Sequence, residues 1–116
     1  MTSRVFMPAW SSKFDSAPAK KFGEIIYLMR GEKIVNPFNT ERLVSLFYEE
    51  LDSQSFDQEA DYIALTGGHI FVAFLLATAA VSYDKVKILL FDASTNKYVE
   101  RVFEVPEESE AKEPAA

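Results

Sequence analysis

Cysteine is absent from this chain of 116 residues, which excludes disulfides and thiolate chemistry outright. Histidine occurs once, as His69, and without a second histidine or a cysteine a zinc site lacks ligands. No apolar run reaches the roughly 20 residues that span a bilayer, so no membrane partner is expected. Residues 1–9 are too short for a signal peptide and have no apolar core segment; a cytoplasmic location is expected, in the host cell if the chain is phage-encoded. There is no Walker loop, G-x-G-x-x-G, kinase signature or Ser-His-Asp order, which removes sequence support for nucleophilic catalysis. Glycine is scarce, four in all, and two of the four are adjacent at 67 and 68.

What remains is apolar and aromatic. Hydrophobic residues make up 48 %, with ten Phe, five Tyr and one Trp, as in a folded globular domain. The net charge of −6 argues against nonspecific binding to a nucleic-acid backbone, though not against a small nucleotide. Residues 106–116 hold four Glu and one Lys beside two prolines, so they read as an acidic, disordered tail after a single α/β domain at 1–105.

The centre of the chain is DYIALTGGHIFVAFLLATAAVSYDKVKILLFD, residues 61–92. Residues 62–65 and 86–91 are short apolar runs that suit buried strands of a parallel sheet. Between them, residues 70–81 carry one polar side chain, Thr78, and four alanines, which favours a helix. The unit is therefore a β-α-β crossover at 62–91. A helix apolar all round must be covered all round, so one side should meet the sheet and the other a partner subunit. A homodimer or higher homo-oligomer is expected.

Around this unit the pattern predicts a small mixed sheet of about five strands with two helices. Residues 4–7 form a first strand stopped by Pro8, and 8–21 a loop anchored by Trp10 and Phe14, carrying Lys13, Lys20 and Lys21. Residues 25–29 form a second strand. Asn36-Pro37 marks a turn, and Asn39 or Thr40 caps a helix whose buried face is Leu43, Val44, Phe47, Tyr48 and Leu51, with Ser45, Glu49 and Glu50 outside it. Residues 52–61 read as a solvated acidic connection, and 93–97 as a hairpin turn leading to an edge strand at 98–105.

If strands 62–65 and 86–91 are neighbours, Thr66, Gly67, Gly68 and His69 lie beside Asp92 at the carboxyl edge, where open α/β sheets bind ligands. Helix N–H groups there attract phosphate. His69 is a candidate general base and Asp92 a candidate catalytic or Mg²⁺/Mn²⁺ ligand, each weighed against a plain capping or turn role.

The segments YIALTGG, the apolar helix and KILLFDASTNKYV, about residues 60–105, resemble the small CRISPR-associated ring nucleases that cleave cyclic tetra-adenylate. The resemblance implies a phosphate held at Gly67-Gly68, a role for Asp92 and subunits assembled around the ligand. Ala93 and Ser94 stand where that family has an arginine, and no histidine interrupts residues 71–78.

Two functions follow from these residues. The first is a non-catalytic interaction protein, with an acidic surface fit for a basic protein partner, of a kind that suits a phage or plasmid genome. The alternative is a nucleotide or cyclic-oligoadenylate binder, or a metal-dependent phosphodiesterase using Mn²⁺ or Mg²⁺. The first is preferred, and catalysis is not expected.

Overall fold

A computed structural model describes residues 3–10, 16–30 and 35–104. Five strands form one sheet: β1 (Arg4–Ala9), β2 (Glu24–Met29), β3 (Tyr62–Ala64), β4 (Lys85–Asp92) and β5 (Lys97–Glu104). Two helices, α1 (Thr40–Ser53) and α2 (His69–Ser82), and a short 3-10 helix at Ala17–Lys21 complete the fold. The spatial order is β2-β1-β3-β4-β5, parallel except for β5, which returns antiparallel to β4. This is the expected α/β class, and the crossover β3-α2-β4 joins adjacent parallel strands.

Alternation along the strands sorts the core onto two faces. Phe6, Ile63, Val86 and Ile88 turn toward Leu43 and Phe47 of α1 and Leu75 and Ala79 of α2. Val5, Met7, Ala64 and Leu89 turn the other way, toward Ala19 of the 3-10 helix and Tyr98. Both long helices thus share one face, and the opposite face has only a thin cover. Right-handed crossovers require this, because β1 to β2 moves one way across the sheet and β2 to β3 to β4 moves back.

Each helix end has a local cause. Asn39 Oδ1 accepts the Arg42 N–H at 3.3 Å and caps α1, preceded by the Asn36-Pro37 turn in which Asn36 Oδ1 accepts from the Phe38 N–H at 2.8 Å. At its other end Ser55 adopts φ 53°, and the Phe56 N–H reaches back to the Leu51 carbonyl at 3.0 Å. Gly23 is required by close approach: a Cβ there would overlap the Ser3 carbonyl oxygen.

Several expectations are corrected. β1 does not stop at Pro8 but runs to Ala9; the pairing with β2 passes from Met7↔Tyr27 to Ala9↔Met29, so Pro8 owes neither neighbour a donor. Trp10 is 67 % exposed and anchors nothing, while Lys13 and Phe14 lie outside the described residues, as does the acidic tail at 106–116. On α1 the buried side comprises Leu43, Leu46, Phe47, Glu50 and Leu51; Val44 and Tyr48 are exposed and Glu50 is inside, a rotation of roughly 60° about the helix axis. Within the chain α2 is covered on one side only, as expected: Ala73, Ala77 and Val81 face water opposite Leu75 and Ala79, on the side for which a partner is expected.

The acidic connection before β3 holds one more surprise. Asp61 is 1 % exposed, and its carboxylate binds the Arg4 guanidinium at 2.8 Å, the Arg4 backbone N–H at 3.0 Å and the Asp57 N–H at 2.9 Å. Arg4 also donates to the carbonyls of Gln54 (2.7 Å) and Ser55 (3.1 Å) at the end of α1. Asp61→Ala leaves these donors without their acceptor. We expect a loss of about 3 kcal/mol by urea unfolding; a loss under 0.5 kcal/mol would mean that the pair merely sits where packing has placed it.

Candidate functional site

The parallel neighbours β3 and β4 carry Thr66, Gly67, Gly68 and His69 to the same sheet edge as Asp92. Gly67 has φ 133°, a conformation that side chains disfavour, and the nearest atom to a Cβ there is Pro8 Cγ at 4.0 Å. Gly68 has an ordinary φ of −59° and forms the N-cap of α2 without a side-chain bond; a Cβ would press on the Phe71 ring at 3.3 Å. Only the first glycine is demanded by the turn. His69 is exposed in the first turn of α2.

Both candidate oxygen groups are engaged locally. Asp92 Oδ1 accepts from the Ser94 hydroxyl at 2.6 Å and the Ser94 N–H at 3.0 Å, closing the turn before β5. These bonds hold its carboxyl below the ordinary range. The Thr66 hydroxyl pairs with the Tyr98 hydroxyl at 2.7 Å, and the Tyr98 ring stacks edge-on against Phe91 at 5.2 Å. Tyr98 was not foreseen as a partner of Thr66, because their contact across 32 residues of chain leaves no local signal.

Topology moves the crevice. The chain leaves β1 toward β2 and leaves β3 toward β4, so the strand order reverses between β1 and β3. That switch point is where doubly wound sheets bind ligands, and the end of β1, with Pro8 in the strand and Trp10 just past it, and the turn Thr66–His69 after β3 come to it here. Asp92 stands one strand further out, on β4. Among the described residues no three His, Cys, Asp or Glu side chains gather as metal ligands.

The opposite surface differs in character. α2 has no charged residue in its 14 positions, and Val81 is 87 % exposed beside the exposed Ala73 and Ala77. On α1, Tyr48 is 58 % exposed and Val44 is also open to solvent. The two helices pack side by side. Tyr83, whose N–H donates to the Ala79 carbonyl at the end of α2, has its hydroxyl pushed up by burial and then by the charge of Asp52 and by Tyr48. That flank of α1 therefore adjoins the end of α2.

Fold and surface together define a small two-layer α/β protein with a hydrogen-bonded carboxyl edge and a wet apolar helix face. The chain belongs to the Phage Pam3 gp32-like protein family, whose profile matches residues 3–105. No curated protein and no solved structure matches it. The likeness to ring nucleases gains no support from this membership. Among the described residues no helix is long and apolar enough to cross a membrane.

Asp92 offers a direct check. A carboxyl whose folded pKa is depressed contributes stability above its unfolded pKa and loses it as pH falls through the folded value. NMR titration of the Asp92 carboxyl should give a midpoint below that of an unstructured Asp, and Ser94→Ala should raise it. An unchanged midpoint in Ser94→Ala would assign the shift to some other neighbour.

Proposed function

We propose that this chain is a non-catalytic interaction protein that presents the α1–α2 surface to another polypeptide. The observation that carries the reading is the open apolar side of α2. Folding does not call for it: a residue wet in both folded and unfolded chains contributes no burial, and helix surfaces normally carry charge there. Alanine has the highest helix propensity, which accounts for Ala73 and Ala77. It does not account for Val81, a poorer helix former exposed near the end of the helix. Contiguous apolar surface of this kind marks protein contacts. A second copy of the chain and a different protein are both chemically acceptable occupants.

The nucleotide reading rests on the switch-point crevice, with the uncapped N-terminus of α2 beside Gly67 and the exposed Trp10. It is the weaker one, since the Thr66 hydroxyl and Asp92 Oδ1 are already engaged by Tyr98 and Ser94.

Two measurements test the proposal. Melting with mononucleotides and cyclic oligoadenylates, with and without Mn²⁺, should give no shift; a ligand at a hundred times its Kd adds about 2.7 kcal/mol, and such a rise would move the function to the crevice. The cysteine-free background also permits a single Ala77→Cys variant. Its thiol should react with a maleimide like a free thiol, or faster on dilution if a second copy covers it. Protection at every concentration would mean that the chain itself covers the face, and the proposal would fall.

A further inference from the structure

We propose that the occupant of the α1–α2 surface is an amphipathic helix with a basic border, supplied by a different protein. The inference rests on the interaction reading above and names the chemistry of the partner. Val44 and Tyr48 on α1 and Ala73, Ala77 and Val81 on α2 supply the apolar floor. Because the α2 contribution is mostly alanine, a third helix can come close to its backbone, seating larger apolar side chains between the two helices. An apolar groove of this kind reads anchors spaced i, i+3, i+4, i+7 along the incoming helix.

The border decides between partners. Glu41, Glu49 and Asp52 are exposed on α1, and Asp84 is exposed just beyond α2; Arg42 is the cation among them. A second copy docked on the same face would bring carboxylates against carboxylates, and like charges placed together at an interface are unfavourable. Lys or Arg flanking the apolar stripe of a foreign helix would instead find acids along α1 and at the end of α2. Strand addition by a second copy at β5 is opposed by the same logic. Two-fold antiparallel pairing keeps the helices of both copies on one side of the joined sheet, so only residues facing the same way can meet. The two central registers of this kind set Glu100 against Glu100 or Arg101 against Arg101, and both side chains are exposed on the strand.

The test uses two synthetic helical peptides of one length with the same leucine spacing, one flanked by Lys and the other by Glu. They are titrated by fluorescence anisotropy into the full chain and into Ala77→Glu and Glu49→Lys/Asp52→Lys variants, each checked for a native circular dichroism spectrum. The Lys-flanked peptide should bind at least about tenfold tighter than the Glu-flanked one in low salt, with the ratio shrinking as salt screens the border. Ala77→Glu should abolish binding although it adds negative charge, which separates docking on the floor from general attraction to an acidic protein. Glu49→Lys/Asp52→Lys should reverse the preference between the peptides.

Equal binding of the two peptides, or binding that survives Ala77→Glu, overturns the proposal. If neither binds and the wild type sediments as a dimer that Ala77→Glu dissolves, the face is an interface whose occupant is a second copy; the interaction reading then stands and this inference fails. If neither binds and the wild type is a monomer at all concentrations, both fail.

Discussion

The structure depends on one buried carboxylate. Asp61 begins the approach to β3, and its oxygens gather the Arg4 backbone and guanidinium and the Asp57 N–H. Arg4 in turn binds the Gln54 and Ser55 carbonyls just past α1, where a cation is favoured by the helix dipole. A single ion pair thus joins the start of β1 to the end of α1 and the entry to β3, which lie 50 to 57 residues further along the chain. Such pairs do not add much net stability against apolar substitutes, but half of one left alone is costly. The contribution of this pair is to fix register between β1 and β3: with Arg4 held to Asp61, Val5 falls opposite Tyr62 and Phe6 opposite Ile63.

This knot sits at the amino ends of the parallel strands, and its position leaves the opposite edge free to vary. The carboxyl edge is closed by lighter means, the Ser94 bonds to Asp92 and the hydroxyl pair of Thr66 and Tyr98. One edge is thus tied by charge in a dry environment and the other by neutral or exposed bonds. The faces divide in the same way. The side bearing Phe6 and Ile63 has two full helices over it, while the side bearing Val5 and Ala64 relies on five residues of 3-10 helix and on the aromatic pair Phe22–Tyr62.

The same division explains what could be read from the residues alone. The crossover at 62–91 was legible because its parts differ in period: short β-branched runs around a long alanine-rich one. The Asn36-Pro37 turn and the Asn39 cap were legible because they are local. Asp61 was not, since an acid in DSQSFDQEAD looks solvated until the partner 57 residues away is known. Glu50 and Tyr48 exchanged places for a similar reason. Five apolar residues suggested one centre for the buried side of α1, and the true centre is shifted by roughly 60°, less than the turn of one residue. At the candidate site the shared edge of Thr66–His69 and Asp92 was legible from the crossover, but the neighbour opposite Gly67 was not. Gly67 faces Pro8 across the switch point, and that neighbour follows from strand order, which no run of residues in the chain announces.

The apolarity of α2 admits two physical explanations, and they differ in which residues they cover. If the helix needed only to fold, its inward positions Leu75, Thr78 and Ala79 would suffice, and the outward ones would be free to carry the lysines and glutamates that keep a surface soluble. Instead the outward side is empty of charge while α1 beside it carries five charged residues among its 14. A chain with net charge −6 can keep one uncharged helix wet without precipitating, because repulsion acts over the rest of its surface. That repulsion also discourages like copies and favours opposite charge. On the proposed reading, an uncharged floor with acidic borders would select a partner by sign as well as by shape, which neither feature would do alone.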